Sequence, residues 1–530
     1  MTEDSTTTSG TSSTTAGETD TDTETTGTPS VVGPARVYYS ASSGPGLPDA
    51  FRVVEVADGV ASAPATVIDV GPNASSLMST VASGQQTLAF HATVPGDAKL
   101  WFVDTATAGT SELDLPPAIS AIDWMNFSPD GSRLLLSAGT ESKRDLYLCE
   151  VGPANCTPGL MNPPFGPTGT IESYSPLEMS SGNTWLVYSA DKNGDGGLDI
   201  LVGRADTPGA ASTVLSFLSP AMTLWVAAFT ADEQFLYVGL RDSALDRADF
   251  FAVDLSQQPL QAVSIDLPME EQPTGQLAPD LHAILMWNGQ GSHGDLYIVP
   301  LDGTVAGTPV WLNSAGPGRA KDRDFQWSPD GSRVAFVADH EQLGTDALYV
   351  VDGDGLEAPI KSSAPLGAGG TIEQIEFAPD SQRVAYLASE PGGGPELFMA
   401  DLTGTATKLS APLPPTGGLS MYRWSSDSTR VLYVGGQEVA NTEDLFVVHG
   451  LGGVPTPAAK VNAQLQPGGL VLPWFQFASD GQRAFYQAGP DYNSGPLFMA
   501  ALPDDGPEKP IQISAPNEEV WALHVFPPAP

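Results

Sequence analysis

The sequence predicts an all-β fold, a β-propeller of about ten four-stranded blades, on three observations. One phrase recurs along the chain at a period of about fifty residues. Each copy is followed, across a short loop, by a second apolar strand. The two ends of the repeat region look like complementary parts of a single unit.

The phrase is an aromatic residue, a tight turn and an apolar strand. It reads FSPDGSRLLLSA from Phe127, WSPDGSRVAFVA from Trp327, FAPDSQRVAYLA from Phe377, WSSDSTRVLYVG from Trp424 and FASDGQRAFYQA from Phe477. Weaker copies start at Phe229 and Leu277, and degenerate ones at Ala35, Ser83 and Ser181. In Ser-Pro-Asp-Gly the proline presets φ and the glycine supplies the freedom that a tight reversal needs. The run Val334-Ala335-Phe336-Val337 is apolar at consecutive positions, as expected of a strand sandwiched between neighbouring sheets.

The partner strands include LWFVD from Leu100, DLYLCEV from Asp145, DFFAVD from Asp249 and ALYVVDGDG from Ala347, so each unit contains a hairpin. Less regular strands such as ATVIDV from Ala65 or PVWLNS from Pro309 follow. The strand leading into the next aromatic completes four, which is a propeller blade.

Closure follows from the ends. ARVYYSA from Ala35 lacks a preceding strand, and EVWALHVF from Glu519 resembles the missing one. Joining them hides both edges. One ring of ten and two five-bladed rings would close alike; the unbroken spacing favours one ring.

FSPDGSRLLL, WSPDGSRVAF and the DLY-type strands after them resemble the TolB-type, WD40-like propeller repeats of bacterial envelope proteins, over about residues 34–530. The resemblance implies a propeller that serves as a protein-docking scaffold or as the propeller portion of a peptidase. Residues 1–33 are a Thr/Ser/Gly/acidic tract, too polar to fold and expected to be disordered. The tract resembles the spacers that follow the lipid-anchored cysteine of envelope lipoproteins. That likeness implies a signal and anchor cysteine upstream of Met1 and a periplasmic or surface location; a flexible tail on a cytoplasmic protein is the alternative.

Formal net charge is −41, from 63 acidic and 22 basic residues. Such a surface repels nucleic acid and anionic lipid. No apolar run approaches the ~18 residues of a membrane-spanning helix. Of the two cysteines, Cys149 ends a strand and Cys156 follows a turn, so a disulfide across the hairpin and two free thiols are both open.

An Asp–Arg pair three apart recurs as Asp130/Arg133, Asp330/Arg333, Asp380/Arg383, Asp427/Arg430 and Asp480/Arg483. An active site would not be copied five times, so these residues are expected to hold the turns. The distinctive chemical motif is DKNGDGGLD. Asp191, Asn193, Asp195 and Asp199 offer oxygens at spaced positions, and glycine supplies the bend of a Ca²⁺ loop. The segment resembles the calcium loops of FG-GAP propeller blades, which implies side-chain ligation by those four and a carbonyl ligand from Gly197. An Asx-rich hairpin turn is the bland alternative.

No G-x-S-x-G, H-E-x-x-H, P-loop or Rossmann fingerprint occurs, and the repeats leave no room for a separate catalytic domain. The six histidines are scattered, with His293 placed in a loop. Lead-in strands line the channel in related propellers. Seven residues before the repeat aspartate they carry Asp123, Trp225, Arg323 and Glu373, which could bind a sugar or peptide. Carboxylates there could also act as an acid/base pair on a glycan. The expected function is a non-catalytic envelope scaffold docking proteins or glycans; a glycan hydrolase or lyase is the alternative.

Overall fold

The computed structural model describes residues 35–526, apart from 43–49, 58–59, 71–75, 83–86, 95–96, 141, 152–157, 173–176, 220, 245–246, 266–273, 291–292, 314–319, 340, 441, 466–467, 491–494, 505 and 516–517. The tract 1–33 and Cys156 lie outside these residues. Every described element is a β-strand, and the strands form ten antiparallel blades.

The first strand of blade 1 is the C-terminal one, Glu519–Phe526, and it pairs with Ala35–Ser42. The first strands of blades 2 to 10 are Ser76–Val81, Ala121–Phe127, the split pair Thr170–Ile171 and Glu178–Met179, Met222–Phe229, Thr274–Leu277, Ala320–Trp327, Thr371–Phe377, Leu419–Trp424 and Leu470–Phe477. Fourth strands are short; Val310–Trp311 and Ile360–Lys361 have two residues each. Blades 6 and 7 are joined into one sheet, where His293–Gly294 pairs with Ala320–Lys321. His293 therefore opens a strand rather than sitting in a loop, because its backbone pairs with Gln290 on one side and Lys321 on the other.

Packing decides between one ring and two. Val334, Ala335, Phe336 and Val337 are all fully buried. Val334 and Phe336 face blade 6, while Ala335 and Val337 face blade 8. This is the alternation of a strand covered on both sides. Ten apolar clusters of this kind link blade 1 to 2, 2 to 3 and so on to 10, and the last links blade 10 back to blade 1. Two five-bladed rings would have linked 5 to 1 and 10 to 6. The chain is one ten-bladed ring.

The turns between first and second strands form a shared network. Ser128 Oγ donates to Asp130 Oδ1 at 2.7 Å, and that carboxylate also accepts the Ser132 amide at 2.9 Å. Thr230/Asp232, Ser328/Asp330 and Ser425/Asp427 repeat the arrangement. Adjacent turns are tied together, as Asp330 N donates to Ser381 Oγ and Asp380 N to Ser428 Oγ. Arg383, Arg430 and Arg483 pair with the turn aspartate three residues before, as expected. Arg133 and Arg333 instead reach across the sheet to Glu150 and Asp352 on the third strand, where a carboxylate is at hand. The turn motif is structural, but its arginine has two partners to choose from.

A second device, repeated in six blades, ties the third strand to the connector that follows it. The side chains of Asn162, Asn313, Ser363, Ser410, Asn462 and Ser514 accept the backbone N–H of Leu146, Leu296, Leu348, Leu397, Leu445 and Leu497. Each polar residue opens the connector to the following blade, and each leucine belongs to the third strand.

Candidate functional site: the channel wall

First strands of neighbouring blades hydrogen-bond to one another. Thr80 Oγ1 donates to Asn126 Oδ1, Gln326 accepts the Phe377 amide, and Trp424 Nε1 donates to the Glu376 carbonyl. These strands are therefore the inner edges of the blades and form the channel wall.

The wall is irregular in a repeated way. The register of the first strand shifts at Asp123, Trp225, Gln374, Ser420, Trp521, across 321–324 and across 472–474. A bulge leaves its extra residue unpaired and re-aims it. Asp123 and Trp225 are such residues, so the slot seven before the repeat aspartate does mark the wall in blades 3 and 5. Glu373 does not occupy a bulge; it is an exposed, regularly paired residue opposite Leu387, because the shift in blade 8 falls one residue later, at Gln374, with φ +51°. Arg323 lies in the shifted segment of blade 7, and its side chain is outside the described residues.

Among the described residues, Asp123, Glu178 and Glu376 are not gathered into an acid/base pair. Asp123 is held bidentately by Arg144 from the third strand of its own blade. Glu178 and Glu376 have pKa values raised by burial, Glu376 partly held back by Arg423, but they stand four blades apart.

The bulge at 472–474 in blade 10 builds a recess of about 640 Å³ where blades 9, 10, 1 and 2 meet. Pro473 and Trp474 project from it, and the indole is 73% exposed. Arg423 and Gln476 stand beside it, Phe475, Gln487 and Leu497 form the floor, and Met78, Ser79, Val520 and His524 close the far side. His524 Nε2 lies 2.8 Å from Ser79 Oγ. Burial pushes this imidazole down to about 4, so near neutral pH it is uncharged and a weak base. The pair joins the closing strand to blade 2.

The sequence analysis missed Ser79, Arg423, Trp474 and His524. A signal was present in VLPWFQF, since proline inside a strand marks a bulge or an edge.

The loop proposed for calcium lies between the second and third strands of blade 4. Asp191, 9% exposed, accepts the backbone amides of Gly194, Asp195 and Gly196 at 2.7, 3.2 and 2.9 Å. Asp195 accepts from the Gly197 amide and from Asn193 Nδ2, and Asp199 from the Lys192 amide and Ser216 Oγ. Gly194 and Gly196 adopt φ of +77° and +79° and make the bend. As they stand, these oxygens serve the loop itself. Among the described residues no three His, Cys, Asp or Glu side chains are gathered closely enough to hold a metal ion.

Cys149 is buried and disulfide-bonded, and the chain has only one other cysteine, Cys156. Among the described residues no helix is long and apolar enough to cross a membrane.

These features define a ten-bladed β-propeller with a ligand-sized recess in its channel wall. No known family profile matches the chain, and no curated protein matches it. Among solved structures, it is similar to TolB from Acinetobacter baumannii, at 14% identity over 52% of this chain and 66% of that one, with a TM-score of 0.28. The Dos1 propeller is similar at 14% identity over 67% and 88% of the two chains, TM-score 0.39. The tricorn protease is similar at 14% over 92% and 53%, TM-score 0.30. These are likenesses of fold.

Proposed function

We propose that this chain is a non-catalytic binding scaffold of the bacterial cell envelope that docks a partner protein at its channel. The observation that carries the reading is Trp474, a large apolar side chain held out into a recess by a three-residue bulge. Exposing an indole forgoes its burial, on the order of 2 kcal/mol, and an aromatic side chain bordering a concave recess with a few polar groups is the usual make-up of a ligand site. The spacer-like tract 1–33 and the disulfide at Cys149, which suits an oxidising compartment, support the envelope location.

The test is affinity capture from bacterial envelope extracts on immobilised protein, with Trp474→Ala in parallel. A partner held by the wild type and lost from the variant is expected. No captured partner, or localisation of the native protein to the cytoplasm on fractionation, overturns the reading. A glycan partner is the alternative, recognised by capture that survives protease treatment of the extract.

A second proposal concerns Asp191, Asn193, Asp195, Gly197 and Asp199. We infer that this loop takes a structural Ca²⁺. The observation favouring it is the preformed bend, in which two left-handed glycines bring several acidic oxygens into one short loop. Those oxygens must turn from their present partners to reach the ion, so binding would tighten the loop.

A further inference from the structure

Nine of the described arginines are committed to a carboxylate. Arg36, Arg52, Arg133, Arg144, Arg204, Arg333, Arg383, Arg430 and Arg483 each hold a carboxylate. Arg423 is different. Its Nη1 donates to the carbonyl of Tyr422 at 3.2 Å, and it makes no ion pair with any described residue. Its charge is felt by Glu376, but no carboxylate of a described residue lies within ion-pair distance of it, in a chain with 63 acidic and 22 basic residues. It is exposed, and it borders the same recess as Trp474.

The rest of the lining narrows the ligand. Phe475, Leu497 and Val520 make an apolar floor and side. Among the described residues no Asp, Glu or Asn side chain borders the recess, and its neutral polar groups are Ser79, Gln476, Gln487 and His524. Gln487 donates to the Val520 carbonyl and Ser79 is paired with His524, so the lining offers one cationic fork, one open indole face and a mainly apolar floor, with Gln476 beside them. A guanidinium matches a carboxylate bidentately, and the indole matches a flat apolar or aromatic group.

Charge fixes the number of carboxylates. With −41 on the whole molecule, each further acidic group on a ligand is repelled, so a ligand with a single carboxylate is favoured. A C-terminal residue supplies one carboxylate and one side chain from the same Cα, close enough for both to enter a recess of about 640 Å³. We propose that the recess captures the C-terminal end of a partner polypeptide, its terminal carboxylate on Arg423 and an aromatic last side chain on Trp474. This deepens the scaffold reading and rests on it.

The test is isothermal titration of the full chain with acetyl-Ala-Ala-Phe as the free acid and as its C-terminal amide. Acetyl-Ala-Asp-Phe-amide and maltohexaose complete the set. The free acid should bind at least about tenfold more tightly than the amide, since an ion-paired bidentate contact is the strong kind. Arg423→Gln should erase that difference, and Trp474→Ala should weaken both peptides about tenfold or more. Both side chains are exposed, so both variants should keep the wild-type melting temperature. Equal binding of the aspartyl amide overturns the chain-end assignment, and binding of the hexasaccharide alone overturns the peptide. If no peptide binds while Trp474→Ala protein still captures its partner, this proposal fails and docking at another surface stands. If the wild type captures nothing, the scaffold reading itself fails.

Discussion

The hydroxyl of Tyr39 donates to Oε2 of Glu518 at 3.2 Å, joining residues that stand 479 positions apart in the chain. Glu518 precedes the closing strand and is only 7% exposed. Its other oxygen lies 2.6 Å from Arg52 Nε, close enough for an ion pair though not aligned as a hydrogen bond. It also accepts the Ala515 amide at 2.9 Å. One carboxylate thus ties the second and third strands of blade 1 to the C-terminal segment.

Glu518→Ala should therefore destabilise the ring at its closure. Removing one partner of a largely buried pair leaves Arg52 without compensation, at a cost of about 2–4 kcal/mol. Urea unfolding measures it, and a variant with unchanged midpoint and slope would refute the role.

Asn462 offers a test of the connector latch. Its Oδ1 accepts Leu445 N at 2.7 Å, and its Nδ2 donates to Asp444 Oδ1 at 2.9 Å. Asn462→Ala strands a buried amide and should cost about 1–3 kcal/mol. Asn462→Ser should recover part of that, because serine fills the matching place at Ser363, Ser410 and Ser514. Equal stability of the alanine and serine variants would contradict the latch.

Two histidines set an acid dependence. Burial pushes both His91 and His524 down to about 4 from an ordinary 6.5. Between those values the unfolded chain binds protons that the native one does not, so stability is full above pH 6.5 and falls as pH drops to about 4. Each histidine accounts for up to ~3 kcal/mol of that loss. The glutamates Glu172, Glu178, Glu376 and Glu443, whose pKa values desolvation raises, act in the opposite sense at the acid end of the window. His91→Phe isolates the effect: its stability should fall less than that of the wild type between pH 6.5 and 4. Parallel curves would exclude it.

The calcium proposal is tested by thermal melts with and without a chelator. A bound ion stabilises the folded state by mass action, so chelator should lower the melting temperature by a few degrees. Asp195→Ala should remove the difference. Identical wild-type curves end the proposal.

Repetition made the fold legible from sequence. Ser328-Pro329-Asp330-Gly331 names its own turn, and Val334–Val337 names a strand covered on both sides. Ring size was less legible, because closure by Glu519–Phe526 reads the same for five blades or ten; only the contacts between blades 5 and 6 and between blades 10 and 1 separate them. The channel wall was half legible. A fixed spacing found Asp123 and Trp225, but bulges slide along a strand, so it landed on Glu373 instead of Gln374 and passed over Trp474. That Arg423 lacks a described carboxylate at ion-pair distance had no sequence signature, since it appears only once the neighbouring side chains are placed.

The closing strand has two employments. Val520 and His524 belong to the strand that seals the ring, and both also wall the recess beside Trp474. Occupancy and closure are then thermodynamically linked. Whatever seats in the recess tightens the seam, and whatever peels the last strand away dissolves the recess. A partner's grip could in this way be registered as the difference between a locked circle and an open coil of blades.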